Sequence, residues 1–213
     1  MLRAMILAWL VLWSATVFAQ KGDLKTANEL YRAKHYAEAA PLFEALIKKR
    51  SSLTLQTKLA NCYRLNNRLS EAENLYAQIV QEHKAKAYTY FYYAEVLMGN
   101  EKYAEAKNWF LKYAKLEPDD ERGELMAAVC DAVPSIRPFF KMLRVEEFEG
   151  NSAADDFTPV FYRDGIVFSS DRNSGLKLMK EKSGWTGRDY LNLFYAKKVE
   201  NGGYEEPQLF STK

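Results

Sequence analysis

Residues 94 to 114, AEVLMGNEKYAEAKNWFLKYA, decide how the first half of this 213-residue chain folds. Two earlier stretches have the same spacing of small and aromatic residues. They are residues 27 to 46, ANELYRAKHYAEAAPLFEAL, and residues 60 to 80, ANCYRLNNRLSEAENLYAQIV. Successive copies begin 33 and 34 residues apart, which indicates an internal repeat.

Each copy predicts a pair of packed helices. A small residue is followed nine positions later by a large one, then by an alanine and an aromatic residue. Alanines let two helices approach closely, and aromatic side chains fill the groove against the next pair. In order, the copies supply Ala27, Tyr36, Ala39 and Phe43; Ala60, Leu69, Ala72 and Tyr76; and Ala94, Tyr103, Ala106 and Phe110. Pro41 falls inside the second helix of the first copy, where it removes a backbone hydrogen bond.

This spacing resembles the tetratricopeptide repeat, and Pro118 follows the third copy where such repeats end. A fourth small residue, Ala128, predicts one further helix that caps the solenoid. We expect Pro134 and Pro138 to end it. The resemblance therefore implies a tetratricopeptide α-solenoid over residues 20–133, with three helical hairpins and a capping helix.

The inner face of such a solenoid is its usual ligand surface, and we expect it to bind a protein or peptide. Lysines that clamp chaperone tails in related domains are replaced here by Leu24 and Tyr88, so that ligand is not expected. The alternative, that these residues are only solvated side chains, stays open. Counting from the repeat alanines places these residues in the groove: Asn28, Tyr31, Arg32, Asn61, Arg64, Tyr88, Phe91 and Glu95.

The composition changes after Pro138. The stretch from Asp155 to Gly175, DDFTPVFYRDGIVFSSDRNSG, contains two apolar runs on either side of an Asp164-Gly165 turn, and we expect Gly165 to supply positive φ. Residues 134–154 read as a linker, in which alternation at Met142 to Phe148 is compatible with a propeller-closing strand. The predicted strands are Phe157 to Tyr162, Ile166 to Ser170, Asn192 to Val199, and Pro207 to Phe210.

Four antiparallel strands in residues 155–213 match one β-propeller blade. The residues DDFTPVFYRDGIVFSSDR resemble WD40-like repeats. Together with the helical repeats and WTGRDYLNLFYA (Trp185 to Ala196), they resemble OmpA-family envelope proteins of Bacteroidetes, which include a type IX secretion component. This resemblance implies an α+β multidomain protein with an incomplete propeller, so we expect the chain to be the N-terminal portion of a longer one.

The N-terminus, MLRAMILAWLVLWSATVFAQ, has the pattern of a cleavable signal peptide over residues 1–19. It predicts an exported, periplasmic protein, and the family resemblance adds association with the outer membrane. The formal charge of +2 argues against a nucleic-acid ligand. Cys62 and Cys130 align to one position of two non-adjacent repeats, so we expect two free, buried thiols.

No catalytic motif was found: the sequence has no G-x-S-x-G elbow, P-loop or dinucleotide fingerprint. His35 and His83 lie in repeat turns, and Asp171 to Gly175 lacks the spacing of a calcium loop, so we predict no metal or other cofactor. The main hypothesis is a non-enzymatic scaffold that contacts outer-membrane or secretion-system proteins. Peptidoglycan would be bound only through domains absent from this chain. The alternatives are an accessory region of an exported propeller-bearing serine hydrolase, and a fragment that only folds its helical half.

Overall fold

The computed structural model describes residues 23–140, 144, 146–175, 182–200 and 202–211. These residues form helices and then a four-stranded antiparallel sheet, which confirms the α+β class. The chain divides between residues 142 and 143 into two compact units, called here the helical unit and the sheet unit. The predicted signal peptide lies outside the described residues. No helix in the described part of the chain is long and apolar enough to span a membrane.

The helical unit is a series of helices in which each packs against its neighbour in sequence. Helices α1 and α2 form the first pair, with the rings of Tyr31 and Phe43 in contact between them. Helices α3 and α4 form the second pair and α5 and α6 the third, with α7 against α6. Their bounds are α1, 23–32; α2, Tyr36–Lys49; α3, Leu53–Leu65; α4, Leu69–Ile79; α5, Ala87–Gly99; α6, Tyr103–Leu116; and α7, Arg122–Phe140.

The same turn joins the helices of each pair. Lys34, Asn67 and Glu101 have φ angles of 64°, 56° and 61° and stand 33 and 34 residues apart. The amide of the next residue donates to a carbonyl five positions back, as His35 does to Leu30 at 2.9 Å. This pattern is the Schellman motif, which satisfies carbonyls at a helix end. The backbone turns therefore repeat with the same spacing, 33 and 34 residues, as the side-chain pattern.

The predicted alanine and final aromatic positions of the three repeats are confirmed as core positions, whereas Leu69 and Tyr103 are only partly buried. The nine confirmed positions are fully buried, with no exposed surface: Ala27, Ala39, Phe43, Ala60, Ala72, Tyr76, Ala94, Ala106 and Phe110. Cys62 and Cys130 are also confirmed as free, buried cysteines. Burial raises the pKa of the Cys62 thiol to about 12, which keeps it protonated at neutral pH.

Two expectations about the last helix were wrong. Helix α7 passes through both Pro134 and Pro138 and continues to Phe140, so neither proline ends it and the linker does not begin at residue 134. A proline removes one hydrogen bond but does not end a helix whose turns are supported elsewhere. The alanine that is buried at this step of α7 is Ala127, whereas Ala128 is exposed. Cys130 therefore lies three residues after the buried Ala127, whereas Cys62 lies two residues after the buried Ala60. The two cysteines do not occupy equivalent repeat positions.

The sheet unit is an antiparallel meander with strand order β1-β2-β3-β4. Its strands are β1, Asp156–Tyr162; β2, Gly165–Ser170; β3, Asn192–Lys197; and β4, Gln208–Leu209. All four agree with the predicted strands to within two residues. A register shift between Phe157 and Val160 interrupts the pairing of β1 with β2, next to Thr158, whose φ is 52°.

The predicted role of Gly165 was wrong. The positive φ of the β1–β2 turn belongs to Arg163, at 50°, while Gly165 pairs with Tyr162 as the first residue of β2. Glycine is required there by space, because a Cβ would lie 2.2 Å from the carbonyl oxygen of Ala196 and 2.7 Å from Tyr195 Cε2. Gly165 is thus needed for the close approach of β3 and not for the backbone conformation of the turn.

The core of the sheet unit is small. Phe168, Phe194 and Ala196 are buried, and Phe148 packs edge-on against Phe168 with ring centroids 6.0 Å apart. The alternation at Met142 to Phe148 was compatible with a propeller-closing strand. The described residues of that segment, Arg144 and Glu146 to Phe148, lie in no strand. Phe148 nevertheless joins the core from outside the sheet. Several large side chains of this unit stay exposed, among them Val160, Phe161, Leu191 and Leu193.

Candidate partner-binding cleft

A cleft of about 440 Å³ opens on the helical unit beside the first helices of the three pairs. Helices α1, α3 and α5 and the segment before α5 supply its walls. Its lining combines aromatic, hydroxyl, amide and ammonium groups and contains no carboxylate. The lining residues are Tyr31, Leu53, Thr54, Thr57, Lys58, Asn61, Lys84, Ala85, Lys86, Tyr88 and Thr89.

Three of the predicted groove residues line this cleft: Tyr31, Asn61 and Tyr88. Tyr31 is half-buried and packs edge-on against Phe43, while Tyr88 keeps 40% of its surface exposed. The Asn61 side chain is buried and accepts a hydrogen bond of 2.8 Å from the Tyr76 hydroxyl. Asn61 is thereby held rigidly, and Tyr88 offers an aromatic face to a ligand.

Lys58 is the best-fixed cation of the cleft. Its ammonium group donates to Asn28 Oδ1 and lies 5.9 Å from the centroid of the Tyr31 ring. Burial, and then the positive charge of Arg32, lowers the pKa of Lys58. Asn28 thus serves the cleft indirectly by positioning a lysine. Arg32 is exposed and does not line the cleft, but it adds to the positive potential there.

Arg64 and Glu95 form a separate polar cluster that links α3 to α5. Arg64 Nη1 donates to Glu95 Oε2 at 3.1 Å, and the guanidinium carbon lies 4.0 Å from the centroid of the Tyr92 ring. Burial raises the pKa of Glu95, although the charges of Arg64 and Arg122 oppose this shift. Each charge is largely engaged within the helical unit, so this pair holds two repeats together.

Phe91 lies inside the helical core and not on an open groove. Only 7% of its surface is exposed, and its ring centroid is 5.2 Å from that of Phe110 and 5.1 Å from that of Tyr113. Counting from the repeat alanine did not separate the groove face of α5 from the face that packs on α6. Phe91 therefore stabilises the third pair.

The three lysines of the cleft, Lys58, Lys84 and Lys86, were not among the predicted groove residues. Lys58 lies one helical turn before Asn61 on α3, which is a spacing that places both on one face. That spacing could have identified it. Lys84 and Lys86 precede α5, outside the repeated helical positions, so the repeat pattern carries no information about them.

Four polar residues of the sheet unit, Asp156, Asp171, Arg172 and Asn173, make hydrogen bonds within that unit. Arg172 donates to Asp156 Oδ1 at 2.8 Å and to the carbonyl of Gly150 at 2.7 Å. In the DRNSG segment, Asn173 Oδ1 accepts from the amide of Gly175, whereas Asp171 accepts from the amide of Asp155. The side chain that caps this turn is thus Asn173, whereas Asp171 ties the segment to the start of β1.

An apolar recess of about 180 Å³ lies beside β1 and β2, and its lining includes Phe148, Phe157 and Ile166. No group of three or more His, Cys, Asp or Glu side chains that could hold a metal ion occurs in the described residues. Comparison of the sequence with models of known protein families and with curated proteins gave no match.

Proposed function

We propose that this protein is a non-enzymatic scaffold whose helical unit holds a protein partner in the cleft. The observation that carries the proposal is the convergence of Tyr31, Asn61 and Tyr88 on one cleft formed by three successive repeats. Tyrosine supplies a large contact area at a low entropic cost, and a fixed amide can hydrogen-bond an extended peptide. We interpret the helical unit as a tetratricopeptide solenoid, which the recurring Schellman turns support.

We further propose that the sheet unit is a blade of a WD40-like propeller. Its four-stranded meander supports this interpretation. Large apolar side chains on a single sheet are normally covered by a neighbouring element. Phe161 keeps 85% of its surface exposed and Val160 keeps 63%, so both are available to pack against a further blade.

The cellular setting that we propose follows from the sequence resemblance to OmpA-family envelope proteins. In this proposal the protein works in the periplasm, associated with the outer membrane, as part of a type IX secretion or related envelope complex. Attachment to peptidoglycan would require domains beyond this chain. The second candidate is the accessory region of an exported serine hydrolase with a propeller, and the same exposed blade surface is its only support.

The test is partner capture by the full chain carrying an affinity tag, purified from envelope extracts of cells that produce it. In one combined variant, Tyr88→Ala removes an aromatic side chain from the cleft and Arg32→Glu reverses a charge that acts on Lys58, and neither residue is buried. We expect this variant to lose the captured partner. Leu111→Ala, on an exposed part of α6 outside the cleft, should retain it. Equal capture by all three proteins would contradict the proposal.

A further inference from the structure

The cleft carries three ammonium groups with no compensating carboxylate. In the described residues, no ion pair involves Lys58, Lys84 or Lys86. Other lysines of the helical unit do find acidic partners, as Lys102 does with Glu73 at 2.6 Å and Lys107 with Asp131 at 2.7 Å. Lys34, Lys48, Lys112 and Lys115 have no ion pair among the described residues either, so the cleft is distinguished by grouping three such lysines on one concave surface.

Two of the three lysines, Lys58 and Lys86, also have contacts within the protein before any ligand arrives. Lys58 is held by Asn28 and lies over the rings of Tyr31 and Phe43, at 5.9 and 6.0 Å from their centroids. Lys86 lies 5.9 Å from the centroid of the Tyr88 ring. A partly desolvated ammonium group gains more from an anionic partner than one in bulk water. Arg32, close enough to repel Lys58, strengthens the same preference.

We propose that the cleft binds an acidic segment of a protein partner through its side-chain carboxylates, with Lys58, Lys84 and Lys86 as the ligand-binding cations. This inference rests on the proposed function and specifies the chemistry of its ligand. Tyr31 and Tyr88, beside the lysines, add apolar contact area that suits a peptide carrying both acidic and apolar side chains. Lysine, a flexible point charge, can adapt to carboxylates at several positions of an extended chain.

Fluorescence anisotropy tests this with the full chain and a fluorescein-labelled peptide of alternating glutamate and leucine, its C-terminus amidated. The comparison ligands are the same peptide with glutamine for glutamate and a single-stranded DNA oligonucleotide of equal charge. We expect the acidic peptide to bind at least about tenfold more tightly than either, with affinity that falls as salt rises. Equal binding of the glutamine peptide, tighter binding of DNA, or no binding of any ligand would overturn the proposal.

Two charge variants locate the site. Lys84→Glu combined with Lys86→Glu changes exposed cleft residues and should weaken binding of the acidic peptide by at least about tenfold. Lys48→Glu combined with Lys115→Glu makes the same change in net charge on exposed helix positions outside the cleft and should leave the affinity nearly unchanged. Circular dichroism checks that both are folded. Equal losses in the two variants would overturn the assignment to the cleft.

The inference and the proposed function can fail separately. If the Tyr88 variant loses its captured partner while the Lys84 and Lys86 variant keeps both partner and peptide, the assignment of these lysines as the binding cations is wrong and the scaffold function stands. If the acidic peptide binds as expected but the Tyr88 variant retains every captured partner, the scaffold function fails.

Discussion

Asp156 fixes the start of β1 to the loop that precedes it. Its carboxylate accepts hydrogen bonds from the Ser152 amide at 2.7 Å, the Ser152 hydroxyl at 2.9 Å and Arg172 at 2.8 Å. Burial raises the pKa of Asp156, but bonds from Ser170, Arg172 and Ser152 outweigh burial and bring the pKa to about 2. The charged form is therefore favoured in the folded sheet unit.

This shift predicts acid sensitivity of the sheet unit. A carboxylate whose pKa falls on folding stabilises the protein above its unfolded pKa of about 3.9, and this contribution is lost as the pH falls towards 2. We expect the free energy of unfolding of the sheet unit to fall by about 2 kcal/mol over this range. Urea unfolding between about pH 2 and pH 6, followed by NMR signals of β2 and β3, measures it. Asp156→Asn should remove this pH dependence, whereas Asp155→Asn, at an exposed neighbour, should keep it.

Gly165 offers a second test at single-residue scale. Gly165→Ala forces a Cβ against the backbone of Ala196, so we expect a loss of more than about 2 kcal/mol in the stability of the sheet unit. Gly202→Ala is the control, because its φ of 91° costs conformational energy but a Cβ there meets nothing within 4 Å. It should cost about 1 kcal/mol. Equal losses, measured by the same NMR-detected urea unfolding, would contradict the steric explanation.

The sequence predicted individual residues well where a repeat constrained them. The alanine and aromatic positions of the three full repeats were correct, because close helix packing admits only small or specifically placed side chains, whereas Ala128 in the capping helix was wrong by one position. Gly165 was located but misinterpreted, since a sequence shows that a glycine follows an aspartate but not which backbone passes beside it. Lys84 and Lys86 were missed because no periodic pattern governs the residues between two pairs.

Among the elements, the three intra-pair turns have one geometry but different residues. A left-handed φ costs an ordinary residue roughly 1–2 kcal/mol, while asparagine tolerates it and glycine adopts it freely. Lys34 and Glu101 therefore hold an unfavourable conformation that Asn67 holds more easily.

This difference predicts a stabilising substitution. Lys34→Gly should raise the free energy of unfolding of the helical unit by about 0.5–1 kcal/mol, because relief of the left-handed strain exceeds the added entropy of the unfolded chain. Asn67→Gly should change it little. Lys48→Gly, at an exposed position inside α2, should lower it by about 1 kcal/mol. Thermal unfolding followed by far-UV circular dichroism ranks the three, and a destabilised Lys34→Gly would contradict the account.

Element ends were predicted less well than element types. Helix α7 extends past Pro134 to Phe140, although Pro134 cannot donate a backbone hydrogen bond. Packing of α7 on α6, with Gly123 against Ala114, supports the helix where local preference opposes it. Tertiary contacts of this kind are not visible in a sequence pattern.

At the scale of the whole molecule, the two compact units should unfold independently. The helical unit has an extensive buried core, whereas the buried apolar residues described in the sheet unit are Phe168, Phe194 and Ala196. The sequence predicted both units from their different periodicities. The sequence predicted a ligand groove but not which of the eight candidate residues would line one cleft. The groove face and the core face of a helix differ by only a small rotation, which a repeat pattern does not resolve.

Reciprocal core substitutions test the independence of the units. Phe194→Ala should lower the free energy of unfolding of the sheet unit by about 3–5 kcal/mol. The NMR signals of the folded sheet unit should then be lost, while those of the folded helical unit persist. Phe110→Ala, at a fully buried site within the third pair, should do the reverse. If either substitution abolished the signals of both units, the chain would be one cooperative structure.

Site-specific photo-crosslinking in cells that produce the protein decides whether the cleft holds a partner. A photoreactive phenylalanine analogue replaces Tyr88, whose ring faces the cleft opening with 40% of its surface exposed, or Leu111, which is similarly exposed on α6 outside the cleft. We predict a discrete crosslinked protein from position 88 that is absent at position 111. Crosslinks of equal identity and yield from both positions, or none from position 88, would contradict a partner-binding cleft.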